Sequence, residues 1–480
     1  MTDIVEVSDS AYSGSAFSGS GLIFQPSVLS SGQHQSSPPT DVIGDKNDDS
    51  VVPTQEDPSP IDSNTQLKYT IWKKNAPLLY DCLQTSTLVW PSLSVEWFPD
   101  VQAQGNSNIQ RLLLGSYSNS FNSFENLQLC TIKIPNGLSD LTLEDCEFDP
   151  ERREFLTSNF RIFNNDGKSK GALNLAQEIP HQGDINRAKI MPQNADLLAT
   201  ISNDGSVSIF DRTKKSNSYD VDELFSYDND SQTDLADIKL KFHTTGGWGL
   251  DWNKFKEGEL VTGAGEGSIA LWDIKDGFTK PERTSDILST TNQKKFKTCF
   301  LSPKSTLFCH DLGVNSVGYA WFHDSLIGTA GEDGKFKLFD TRSLKEGPAL
   351  ATQLDHPVNA LDFDKQNQFG LALGDDRGRV ILEDLRLLDK PQYIISDAHA
   401  GSITSVSWNY SYGNVLASCS ADGLVKLWKF NGTDEPLMFV HGGHMLGVSD
   451  IAWNPNDPKM LASCSDDNSV HVWKPSRTIF

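Results

Sequence analysis

His399-Ala-Gly-Ser-Ile-Thr-Ser-Val-Ser-Trp408, then Leu416-Ala-Ser-Cys-Ser-Ala-Asp-Gly423, then Val425-Lys-Leu-Trp428 form one unit of a sequence that repeats itself. The unit returns as His444-Met-Leu-Gly-Val-Ser-Asp-Ile-Ala-Trp453, Leu461-Ala-Ser-Cys-Ser-Asp-Asp-Asn468 and Val470-His-Val-Trp473. In both copies 29 residues separate the first His from the last Trp. Short alternating runs bounded by turn residues, repeated at this period, predict four-stranded sheets arranged about an axis. The chain therefore reads as all-β.

The spacing continues upstream. His243 to Trp272, His310 to Phe339 and His181 to Phe210 keep the 29-residue interval, and each aromatic residue is followed by Asp. A sixth unit opens at His356 with a shorter interval, and Glu383 stands at its Trp position. With one more unit from the N-terminal region these predict a seven-bladed β-propeller, six or eight blades being the alternatives. The pattern resembles the WD repeat, in which a His, a turn acid and a strand Ser or Thr are linked to the Trp by hydrogen bonds. The turn acids would be Asp204, Glu266, Asp333, Asp422 and Asp467. On this reading the repeat histidines are structural, because a buried polar chain is stable only when every member is satisfied.

Composition narrows the class further. The net charge is −23, which excludes the basic footprint of sequence-independent nucleic-acid binding and suits basic partners such as histones. Seven cysteines show no C-x-x-C and no metal-ligand spacing, so neither a disulfide framework nor a metal site is expected. The opening residues lack the apolar core of a signal peptide, and no apolar run reaches the roughly 18 residues needed to span a membrane. Nucleus is the expected compartment, with the cytoplasm as a second. No nucleophile elbow, P-loop or H-E-x-x-H is present, and neither catalytic residues nor a cofactor are expected.

Residues 1–66 carry ten acids against Lys46 and are rich in Ser, Gly, Pro and Asp, a composition that predicts a disordered acidic tail. Residues 67–86 are expected to form an N-terminal helix packing on the propeller, with Ile71, Trp72, Leu78, Leu79 and Leu83 on one stripe. Residues 87–476 would be the propeller. Within it, 212–240 and 278–305 read as polar inserts.

Several segments are more specific than a generic repeat. Ile71-Trp-Lys-Lys-Asn75, Leu79-Tyr-Asp81, Trp90-Pro-Ser-Leu93, Asn186-Arg187, Met191-Pro-Gln-Asn194, Gly249-Leu-Asp-Trp-Asn253, His441-Gly-Gly-His444 and Trp453-Asn-Pro455 resemble the retinoblastoma-binding, MSI-type histone-binding WD proteins. The resemblance implies that a chain-opening strand completes the last blade. It also implies two binding regions. One is a side groove taking a histone H4 helix between Ile71, Leu78, Leu79 and Leu83 on the helix and Asp434, Glu435, Pro436 and Leu437 on a facing loop. The other is the propeller top face, where Asp184, Asn186, Trp248 and Asn359 keep part of a ring for basic peptides. Gly246, Val317, Pro357 and Ser402 stand where that family has Glu.

The expectation is a non-enzymatic scaffold of a nuclear chromatin-modifying complex. The depleted top face points to a divergent, fungal-type member in a Sin3-type histone deacetylase co-repressor, with deacetylase and Sin3-like subunits as partners and histones H3 and H4 as further ones. The alternative is a histone-binding chaperone subunit of a chromatin assembly factor or a type B histone acetyltransferase. A reading of another class comes from Asp340-Thr-Arg342 and Asp384-Leu-Arg386, which resemble the motif of substrate receptors for cullin-type ubiquitin ligases.

Overall fold

The computed structural model describes residues 63–480 apart from 106, 119–123, 136–147, 150–153, 156–172, 218–235, 276, 278–297, 389 and 433–434. The expected tail therefore lies almost wholly outside the described residues. Its last four positions do not, because helix α1 spans Ser63–Leu79. A strand, Tyr80–Thr87, follows at once.

Seven sheets make the blades. Their inner strands are Ser92–Gln104, Ile185–Ile190, Gly247–Trp252, Val314–Tyr319, Val358–Phe363, Ile403–Trp408 and Val448–Trp453, in blades 1 to 7. Each inner strand touches the next, and that of blade 7 touches that of blade 1, so the ring closes. Blade 7 takes its outer strand from the start of the propeller: Tyr80–Thr87 pairs antiparallel with Ser469–Pro475. Closure of this kind leaves the ring without a free seam.

The repeat spacing becomes register. The Trp position pairs with a Leu or Ile at the start of the strand beside it in blades 2 to 7, as in Phe210↔Leu198, Trp272↔Leu260, Phe339↔Ile327, Glu383↔Leu371, Trp428↔Leu416 and Trp473↔Leu461. The second strands, such as Val415–Ser420 and Leu197–Ser202, are buried along their whole length, which is why they are apolar or small without alternation. The tight turn that follows them needs a left-handed residue. Gly205, Gly267, Gly334, Gly378 and Gly423 supply it at φ between 72° and 83°, and Asn468 supplies it in blade 7 at φ 63°.

Two features depart from expectation. Leu83 is not helical: it lies in the strand Tyr80–Thr87, 3% exposed in the core shared by blades 6 and 7. The inserts also contribute strands, since Cys299–Leu301 adds in parallel to Ile238–Leu240 as a fifth strand of blade 2, and Ser305–Phe308 closes blade 3.

Candidate functional site

Most repeat histidines are fixed as the pattern predicts. His399 Nε2 lies 2.8 Å from Ser418 Oγ, which accepts from Trp428 Nε1 at 2.8 Å, while Nδ1 meets Asp422 at 3.0 Å. His243 repeats this with Thr262 and Glu266, and His310 with Thr329 and Asp333. Burial lowers the pKa of all three imidazoles against the pull of the neighbouring carboxylate. Asp204 and Asp467 depart from it: His181 Nδ1 meets the Gly183 carbonyl at 2.9 Å while Asp204 accepts from Ser206 N, and His444 Nδ1 meets Ser469 Oγ at 2.8 Å with Asp467 3.8 Å away.

The inner strands carry a second regularity. In blades 2 to 7 the register with the neighbouring strand shifts at the same place, leaving Asn186, Trp248, Asn315, Asn359, Thr404 and Ser449 on bulges. Most of these side chains tie one blade to the next. Asn186 donates to Gly247 O at 2.9 Å, Asn315 to Val358 O at 3.1 Å, Asn359 to Ile403 O at 3.3 Å and Thr404 to Val448 O at 2.5 Å. Asn186 and Asn359, read from the sequence as peptide-binding, are thus engaged in the ring itself. Trp248 differs, with its side chain 40% exposed. Asp184 is buried and accepts from Asn203 Nδ2 at 2.7 Å. Its charge also reaches Tyr117, whose phenol burial pushes up to about 12, with Asp184 and Asp466 adding to the shift. Tyr117 and Asp466 are members of this face that sequence reasoning missed; only their folded position shows them.

The N-terminal helix resolves into two opposite apolar faces. At 3.6 residues per turn, Tyr69, Trp72, Ala76 and Leu79 share one side, and Leu67, Ile71 and Leu78 share the other. Ala76 lies in the core of blades 6 and 7, with Trp72 and Leu79 packed against it. Leu67, Ile71 and Leu78 are 58%, 47% and 42% exposed. The sequence pattern alone merges both sets into one stripe. The outer strand of blade 6, Leu437–His441, flanks the same core: Met438 packs inward and Leu437 remains 46% exposed. Glu435 is exposed and Pro436 half-buried, and Asp434 lies outside the described residues.

A polar relay pins the inner face. Trp72 Nε1 donates to Tyr80 Oη at 2.8 Å, Tyr80 Oη lies 2.7 Å from His441 Nδ1, and His441 Nε2 lies 3.0 Å from His471 Nδ1. Each N–H and O–H finds one acceptor if the tyrosine donates to His441 and His441 donates to His471. That requires neutral rings, and burial holds both imidazoles well below their ordinary pKa. His441, His444 and His471 also lie close enough together to be considered as metal ligands. The geometry argues against it. The His444 and His471 rings stack 4.0 Å apart and 16° from parallel, so their in-plane lone pairs do not converge on one ion. Both His444 nitrogens, moreover, already face serine hydroxyls at 2.8 Å.

Arg342 and Arg386, the candidate adaptor-binding arginines, each fold back on their own aspartate at 2.6 Å.

A WD-repeat β-propeller with a docked N-terminal helix is the class these features define, and comparison with known proteins agrees. Residues 68–136 match the family of histone-binding protein RBBP4 and its counterpart in the CAF1 complex, and residues 390–429 and 435–474 match the WD domain, G-beta repeat. Its opening segment and its repeats are thus similar to those of RBBP4-type histone-binding WD proteins. It is 28% identical over 400 residues to histone acetyltransferase type B subunit 2 of Candida glabrata, an alignment covering 75% of this chain and 88% of that protein.

Proposed function

We propose that this protein is a histone-binding scaffold subunit of a type B histone acetyltransferase or chromatin assembly complex, and that it takes a histone helix beside α1. The observation that carries the proposal is the second apolar face of α1. Leu67, Ile71 and Leu78 stay exposed although the opposite face is already buried, and a helix apolar on both sides serves two partners. Helix-in-groove binding uses such apolar anchors with charge at the rim, and Glu435 on the blade 6 loop suits a basic helix. The matched relative's name favours this assignment over the deacetylase co-repressor expected from the sequence. The implied setting is nuclear chromatin, where the protein acts by holding its partners.

Fluorescence anisotropy with a labelled peptide spanning the first helix of histone H4 tests the groove. Ile71→Asp with Leu437→Asp is expected to weaken binding at least about tenfold, the loss of roughly 1.4 kcal/mol, with little change in melting temperature. Undiminished affinity would remove the groove from consideration. Leu83→Asp, by contrast, should unfold blade 7, because it puts a charge into the core. Purification of the native complex separates the two settings: a co-purifying acetyltransferase or assembly factor supports this reading, and stoichiometric deacetylase returns the co-repressor.

A further inference from the structure

The central channel holds a cavity of about 200 Å³ whose walls include Lys254, Trp321, Lys365, Tyr410, Asp251 and Asp362. Its carboxylates are committed to the ring. Glu96 accepts from Ile190 N at 2.5 Å, Asp251 from Tyr319 N at 2.8 Å, Asp362 from Trp408 N at 2.7 Å and Asp450 from Val95 N at 3.1 Å. In blades 1, 3, 5 and 7 an acid thus fastens the inner strand of the following blade.

Three of these acids also hold a cation. Arg187 pairs with Asp450 at 2.9 Å, Lys365 with Asp362 at 2.9 Å and Lys189 with Glu96 at 3.7 Å. Lys254 stands three residues after Asp251, as Lys365 stands three after Asp362, yet it makes no ion pair among the described residues. Its ammonium lies 3.8 Å from the centre of the Trp321 ring. Trp321 in turn packs 5.8 Å from Tyr410, and the Lys365 ammonium lies 4.5 Å from the Tyr410 ring. Burial and the neighbouring Lys365 and Lys189 charges lower the Lys254 pKa, and Asp251 and Asp362 oppose this only in part.

We infer that the mouth of this cavity is a second binding site, taking an acidic peptide. A carboxylate of the peptide pairs with Lys254 beside the Trp321 ring. The chemistry is complementary: an ammonium held against an aromatic face in a partly desolvated cavity lacks the carboxylate its equivalents possess. The preferred partner is opposite in charge to a histone and approaches a different surface from α1. Neither site depends on the other.

The probe is a fluorescein-labelled acetyl-Asp-Glu-Phe-Glu-Asp peptide, read by anisotropy on the full chain. Lys254→Gln should weaken its binding about tenfold, Lys254→Arg should retain it, and Lys345→Gln, an exposed control, should change nothing. Lys254→Met replaces the Gln variant if melting shows that variant to be unfolded. Equal binding by wild type and Lys254→Gln, or no binding by wild type, overturns the site. Displacement by inorganic phosphate at an affinity equal to the peptide's would make it a generic anion site and overturn the peptide assignment.

Discussion

Glu383 carries both carboxylate oxygens into the interior without a hydrogen-bond partner. It occupies the Trp position of blade 5, where Leu373 replaces the Ser or Thr of the other units and His356 has turned outward, 3.9 Å from Asp376. Burial raises its pKa to about 7. A carboxyl with a raised folded pKa binds its proton more tightly in the folded chain than in the unfolded one. Stability therefore falls as pH rises from the ordinary carboxylate range to about 7, and the full penalty applies above that. Glu383→Gln should leave urea unfolding at pH 4 nearly unchanged and stabilise the protein at pH 8 by about 2 kcal/mol. An identical shift at both pH values would show that the charge is not responsible. At His243, His310 and His399 the same logic runs through hydrogen bonds instead, and burial lowers the imidazole pKa against the carboxylate partner.

At the scale of the element, α1 is held by few but connected contacts. Its interior face supplies Trp72 and Ala76, and the relay through Tyr80 ties it to blades 6 and 7. Tyr80→Phe leaves the Trp72 N–H and His441 Nδ1 unsatisfied, at a cost of about 1–3 kcal/mol. That loss falls on the docking of the helix more than on the blades. Limited proteolysis should then cut within 63–79 at a concentration where wild type resists, while the propeller core survives. Resistance equal to wild type would mean that apolar packing alone holds the helix. Trp72→Ala should have the same effect more strongly, since it also removes the indole that packs so closely over Gly443 that no side chain fits there.

For the whole molecule, the seam where the chain closes on itself decides integrity. Arg187 of blade 2 reaches Asp450 of blade 7 past blade 1, whose Val95 N–H donates to the same carboxylate. One buried acid thus joins three blades. Removing the cation alone strands that acid, a change that typically costs about 3–5 kcal/mol. Arg187→Met is therefore expected to lower the denaturant midpoint far more than Lys345→Gln, with a loss near the lower end of that range. A loss below about 1 kcal/mol would show the backbone donor to be sufficient.

What was legible in the chain follows from periodicity. Strand register, turn glycines and the His–Trp interval depend on neighbours in sequence or on units that repeat, so His399 to Trp428 alone reveals a blade, and its copies count the ring. The opening segment was recognisable from residues such as Trp72 and Trp90-Pro91. Partnership across blades was not legible. A sequence cannot show that Asn186 and Asn359 are spent on the next strand's carbonyls while Trp248 is not, nor that Lys254 misses the pair that Lys365 makes. Nor can it decide where a helix ends when apolar residues continue through it: Leu83 extends the pattern of α1 but belongs to blade 7, because Ser469–Pro475 offered an edge to pair with. Local hydrophobic period fixes what an element can be. Which of its faces is buried, and which left for a partner, depends on elements hundreds of residues away and is settled only when the ring closes.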